Sequence, residues 1–371
     1  MRSHPKALQG TACSWPFNAL KREIPATMAG VLLMGHGGPE MLQYQTDIKV
    51  PQPREHEVLV RVFAAGVNNT DINTRIGWYS KNDSSDDASW GGTSLPFPLV
   101  QGADVCGEVV AVGCKVDVNR LGQRVLIEPC ITEVNGETMQ PPWYFGSECN
   151  GGFAEYTVVA AKHAHRVESS FSDAELATFP CSYSTAENML TRANVRHGEK
   201  VLITGASGGV GSGAIQLAKA RGAQVIAVTS PAKQAQLLQL GADQVLNRHS
   251  DLVAALGENS VDVVIDLVAG KGWPQLLQVL RPHGRYAVSG AIGGPMVSLD
   301  VRTLYLKDLS FFGCTVLAPG VFANLITLIE QGKVKPLLAS TFTLKDIHQA
   351  QQVFQQKEYI GKMVLQINSP S

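Results

Sequence analysis

The spacing of apolar and polar positions changes character part-way along this 371-residue chain. Over residues 31–167 it reads as short strands broken by turns. Glu57-Val-Leu-Val-Arg-Val-Phe63 alternates in part, as a half-buried strand does, and residues 109–116 and 123–127 continue the pattern with Gly or Pro nearby. From about Val195 the period changes. Strands are predicted at 201–204, 224–228, 261–266 and 285–289, and helices at 211–220, 231–240 and 272–281. That alternation predicts an α/β fold with a doubly wound parallel sheet. A helix over 321–331 and a last strand over 361–367 follow, and the strand is expected to return to the first domain. The expected organisation is a disordered extension over 1–27, a β-rich domain over 28–167, a parallel-sheet domain over 168–320 and a C-terminal return over 321–371. Residues 80–93 are polar and aperiodic and are expected to form a surface loop, of a length that is usually functional or disordered.

One turn gives the parallel sheet a purpose. Val201-Leu-Ile-Thr204 reads as a buried strand, Gly205-Ala-Ser-Gly-Gly-Val-Gly211 as a glycine turn, and the residues after it as a helix. Strand, glycine turn and helix in that order are the context of a dinucleotide fingerprint. Gly208 lets backbone approach a pyrophosphate, and Gly211 lets the helix pack closely on the sheet. The phosphates are expected on the free N–H groups of the helix start, contacted by Gly205, Ala206, Ser207, Gly208, Gly209, Val210 and Gly211.

The second strand of that unit speaks to which dinucleotide. NAD-selective proteins place Asp or Glu at its end to bind the ribose 2′-hydroxyl. Here the strand runs into Thr229-Ser-Pro-Ala-Lys233 with no carboxylate, and Arg248 lies beyond. Hydroxyls of Thr229 and Ser230 with the cations Lys233 and Arg248 favour a 2′-phosphate, hence NADPH.

Composition narrows the class without naming it. A formal net charge of −1 gives no reason to expect nucleic acid or an anionic membrane as partner. No apolar run reaches the roughly 18–20 residues that span a bilayer. Seven cysteines without a C-x-x-C pair look like reduced thiols in a cytoplasmic protein. The first 27 residues carry four Lys/Arg and one acid but no continuous apolar segment of a secretory signal.

Further motifs carry a family resemblance. Gly66-Val-Asn-Asn-Thr-Asp71, Gln101-Gly-Ala-Asp-Val-Cys-Gly107, Gly151-Gly-Phe-Ala-Glu-Tyr156, the glycine turn and Gly361-Lys362 occur in series along residues 28–367. Together they resemble the medium-chain dehydrogenase/reductase superfamily, which implies a GroES-like β-rich domain followed by a Rossmann domain. The chain departs from the zinc alcohol dehydrogenases of that superfamily. Asn68 stands where they carry a cysteine ligand and Ala103 where they carry a histidine; only Cys181 keeps its ligand type. Asn and Ala do not replace thiolate and imidazole in a tetrahedral site. A zinc-free member with this first turn resembles the quinone oxidoreductase branch.

That resemblance implies roles for single residues. Asn68 contacts the cofactor near its nicotinamide end, Thr185 lies beside the ring, and Ser289, Gly290 and Ala291 position the carboxamide. Lys362 belongs to the cofactor site. Without a metal, a quinone or an α,β-unsaturated carbonyl is the easier hydride acceptor, because it spreads developing charge over several atoms. Tyr79 and Thr70 are candidate proton donors, with Tyr183 and water as others, and Trp78, Trp90 and Trp143 are candidate walls for a flat substrate. The expected function is an NADPH-dependent, zinc-independent reduction of a quinone or an activated C=C bond in a small-molecule substrate. The alternatives are an alcohol dehydrogenase with a metal site rebuilt from Cys181, Asp104 and Asp71, and an NADPH-binding protein without turnover. A homodimer paired through residues 309–316 is expected by analogy.

Overall fold

The computed structural model describes residues 23–79 and 94–368 and the backbone of Asn18–Ala19. The polar loop 80–93, with Trp90, lies outside the described residues, as does most of the 1–27 extension. Asn18–Ala19 pairs antiparallel with Val112 and Ala111.

The strand Glu57–Gly66 carries Val58, Leu59, Val60, Val62, Ala64 and Ala65 on its two faces, so both are apolar and both are covered. It forms the middle of an eight-stranded sheet. Antiparallel neighbours are Asp104–Val112, Tyr156–Ala160 and the last strand, Lys362–Gln366. The chain's end thus returns to the first sheet, and Leu338–Thr343 runs parallel beside it.

The second sheet is six-stranded and parallel throughout. Its order is Gln244–Asn247, Gln224–Thr229, Lys200–Ile203, Val261–Asp266, Leu280–Val288 and Ser310–Gly313. Numbered along the chain this is 3-2-1-4-5-6, the doubly wound order whose ligand crevice opens where the order reverses, at the carboxyl end of the first strand. Helices Pro180–Arg192 and Gly209–Ala220 pack together over one face, and Val321–Glu330 packs on the first of them.

Two expected helices differ from what forms. The predicted helix 231–240 splits into a 3₁₀ turn, Pro231–Lys233, and Gln234–Leu240, because proline pre-sets a tight first turn. The predicted 272–281 is shorter, Trp273–Val279. Pro282 disfavours a helical Arg281, and the chain turns into the next strand at Leu280.

Candidate active site

The glycine turn is built as a cradle. Gly205 has φ +58°, a left-handed conformation that suits glycine. Gly208 precedes the helix Gly209–Ala220 with no side chain capping it, which leaves the first N–H groups open. A Cβ at Gly211 would fall 2.5 Å from Gly205 O and 2.6 Å from Ala206 Cα, so the helix start lies directly on the turn. These features fit a diphosphate at a helix N-terminus.

A cleft of about 1300 Å³ opens over this turn, between the two sheets. It exceeds the ~300–1,000 Å³ of ordinary ligand pockets, enough for a dinucleotide and a second molecule. Its lining gathers Asn68, Thr70, Tyr79, Thr185, Gly205, Ser207–Gly211, Thr229, Ser230, Lys233, Arg248, Ser289–Ala291 and Lys362. Ala206 does not line it: its methyl is fully buried, packed into the core beneath the turn. Tyr183 is also outside, because its hydroxyl donates to Lys335 O at 2.9 Å and accepts from Gln216 Nε2 at 2.8 Å. Trp78 reaches the cleft, while Trp143 packs against the first core.

At the carboxyl end of the strand Gln224–Thr229, the Arg248 backbone N–H donates to Thr229 O at 2.8 Å and so joins that strand's tip. Lys233 lines the cleft beside it. Its Nζ donates to the backbone carbonyls of Lys357 and, at 2.8 Å, Tyr359, which ties it to the C-terminal segment.

At the other end of the cleft lies a closed buried network. Asn68 precedes the helix Asn69–Arg75, and its backbone N–H donates to Asp71 Oδ2 at 2.7 Å. Burial pushes the Asp71 carboxyl up to about 7. The Asn68 side chain donates through Nδ2 to Asp104 Oδ2 at 2.8 Å and accepts through Oδ1 from Lys362 Nζ. Lys362 Nζ stands 2.7 Å from Asp104 Oδ2 and 3.3 Å from Ser182 Oγ, and the other Asp104 oxygen accepts the Cys181 N–H. The Lys362 and Asp104 side chains are 3% and 0% exposed, so this is an ion pair inside the protein. Lys362 reaches it because the last strand pairs with Glu57–Gly66 immediately before the Asn68 turn.

Two tyrosines face the same end. The Tyr79 hydroxyl donates to Thr70 Oγ1 at 3.3 Å, and burial raises its pKa. The Tyr144 hydroxyl and Cys181 Sγ lie 3.0 Å apart, and burial pushes the thiol up to about 12, away from nucleophilic use. Tyr144, Ser182 and the Lys362–Asp104 partnership carry no local signal in the sequence; a tyrosine with polar reach is found only when the strand Glu137–Tyr144 is seen to end at the cleft.

Residues 54–169 match the family "Alcohol dehydrogenase GroES-like domain" and residues 209–331 the family "Zinc-binding dehydrogenase". A quinone oxidoreductase of Rattus norvegicus is 30% identical over 91% of this chain and 97% of its own length. The chain belongs to the medium-chain dehydrogenase/reductase superfamily. An acryloyl-coenzyme A reductase of Metallosphaera sedula is 31% identical over 91% of this chain and 99% of its own. A solved Sinorhizobium meliloti 1021 protein with a provisional alcohol dehydrogenase description superposes with a TM-score of 0.85 at 43% identity, covering 93% of this chain and 98% of that one. As a member of this superfamily the chain is an oxidoreductase whose fold binds a nicotinamide cofactor.

The zinc that one of the matched families is named for does not fit these residues. Among the described residues no three His, Cys, Asp or Glu side chains group to hold a metal. Asp104 is engaged by an ammonium, Asn68 presents an amide already bonded at both ends, and Asp71 faces the Asn68 backbone. Rebuilding a site from Cys181, Asp104 and Asp71 would require displacing those partners.

Proposed function

We propose that this chain reduces a quinone or an activated C=C bond, as in an enal or enone, with NADPH and without a metal. The observation that carries this reading is the Asn68–Asp104–Lys362 network: a lysine ammonium holds the carboxylate and the amide that stand at the family's metal-site turns. A bound nicotinamide supplies the hydride. The glycine turn and the open N–H groups of Gly209–Ala220 would hold the diphosphate, Thr229, Ser230 and Arg248 the 2′-phosphate, and Thr185 and Ser289–Ala291 the nicotinamide end. With no Lewis acid, the acceptor itself must delocalise charge, and conjugated carbonyls do so. Burial raises the Tyr79 pKa and keeps it protonated; its one proton turns from Thr70 to the acceptor oxygen, and the Tyr79 oxygen then accepts from the Thr70 hydroxyl. The relatives' names, one a quinone reductase and one an acryloyl-coenzyme A reductase, both describe conjugated acceptors. The same reading assigns the chain to the cytoplasm, on its scattered thiols, and to a homodimer.

The test is NADPH consumption against quinones, enals, enones and simple ketones, each with and without a chelator. Turnover of conjugated acceptors that is indifferent to the chelator is expected. Activity confined to simple ketones and lost with the chelator would overturn the reading.

A further inference from the structure

The cleft carries a charge imbalance. Its lining holds five Lys and Arg side chains and one carboxylate, Asp266, which is occupied by Thr204 Oγ1, the Tyr286 hydroxyl and backbone N–H groups. Of the cations without a role from motif or fold, Lys271 is exposed, and Lys357 is the half-buried one. The helix Ile347–Gln356 ends on it, at φ +56°, a left-handed conformation disfavoured for a residue with a Cβ. Strain of this kind is retained where the surrounding structure needs the geometry.

That geometry does two things. It directs the Lys357 and Tyr359 carbonyls onto Lys233, and it brings the Lys357 ammonium to 3.0 Å from Asn69 Oδ1 and 3.4 Å from the Phe354 ring centroid. Its observed contacts are thus a neutral amide and an aromatic face. The charges that act on it, Lys233 and Lys362, are both positive; Glu358 is exposed and acts on Lys233. Lys362 is engaged by Asp104, and its stem closes on the glycine turn, with Cδ 3.0 Å from where a Gly209 Cβ would stand. Both lysines line the same cleft as the glycine turn and the first residues of the helix Gly209–Ala220. An anion between them would relieve the crowding of like charge.

We propose that Lys357 binds the diphosphate of the nicotinamide dinucleotide from the side opposite the glycine turn. This rests on the dinucleotide reading given above. Lys357 is the only one of the three facing ammoniums whose donors are not already directed at a carboxylate or at backbone carbonyls. The role is distinct from that of Arg248, which stands at the 2′-phosphate end.

The experiment is equilibrium binding of NADPH and NADH, followed by cofactor fluorescence at constant ionic strength, for wild type, Lys357→Gln, Lys357→Arg and Arg248→Ala. Lys357→Gln is expected to weaken both dinucleotides by the same factor, roughly ten- to hundredfold, the size of a lost charge-assisted contact. Arg248→Ala is expected to weaken NADPH alone. Burial and the two neighbouring ammoniums lower the Lys357 pKa to about 8, so wild-type affinity should fall as the pH rises through that value. Lys357→Arg should bind within a few-fold of wild type and lack this alkaline decline, because guanidinium stays charged; a contribution from Lys233 would persist in every variant. Melting curves of both Lys357 variants check folding. Weakening confined to NADPH, or unchanged binding in Lys357→Gln, overturns the assignment while leaving the dinucleotide reading intact. Wild-type protein that binds neither dinucleotide overturns both.

Discussion

Lys362 and Asp104 show how one pair can decide what a site is able to do. Both are buried, and an ion pair taken out of water is sustained only when each charge keeps its partners. Lys362→Met should therefore cost about 3–5 kcal/mol of stability, because it strands the Asp104 carboxylate. The double variant Asp104→Asn with Lys362→Met should recover most of that loss in urea unfolding. If the double variant is as unstable as the single one, the pair is not acting as a compensated charge unit. The sequence pointed to the Asn68 turn through its motif, but it gave no sign of this partnership. Lys362 and Asn68 are 294 positions apart, and no periodicity connects a C-terminal strand to a turn near the start. Ala206 differs in the opposite way: it lies inside a legible motif, but its methyl packs into the core and does not line the cleft.

At the scale of elements, the glycine turn was legible because it must satisfy a backbone requirement that few residues meet. Gly211→Ala tests that requirement. The added methyl would meet Gly205 O and Ala206 Cα, backbone atoms with no rotamer to yield, so the helix Gly209–Ala220 must move off the turn. A loss of about 1–3 kcal/mol in thermal unfolding is expected, as for other overpacked sites. Dinucleotide binding should weaken at least as strongly as stability. Retention of wild-type affinity would mean that the helix start does not hold the phosphates. Parallel strands such as Gln224–Thr229 were equally readable, since burial on both faces writes a continuous apolar run, Val225-Ile-Ala-Val228. The helix Pro180–Arg192 was not read. Ten of its thirteen residues are buried, and Ser182, Ser184, Glu187 and Asn188 are among them, so no apolar stripe alternates with a polar face.

Among the described residues the parallel sheet has two edge strands, Gln244–Asn247 and Ser310–Gly313. Ser310–Gly313 ends the six-strand order, and an unpaired edge invites pairing with another chain. Large apolar side chains collect in the stretch that leads to it: Met296 is 86% exposed, Leu306 70%, Ile292 67% and Tyr305 59%. Exposed apolar surface of that extent marks an interaction site more often than free surface. A second copy fits because a two-fold axis would bring the same edge and the same apolar stretch together, each covering the other. The wild-type protein is therefore expected to be a dimer by light scattering at micromolar concentration. Tyr305→Lys with Leu306→Lys should shift it to monomer without reducing cofactor affinity, since neither residue lines the cleft. Ile292 does line the cleft, and it belongs to the same exposed stretch, so covering that stretch would also restrict the mouth above Ser289–Ala291. Loss of the dimer should accordingly raise KM for the acceptor more than it changes cofactor binding. A wild-type monomer, or a dimer that survives both lysines, would show that this edge is not the interface.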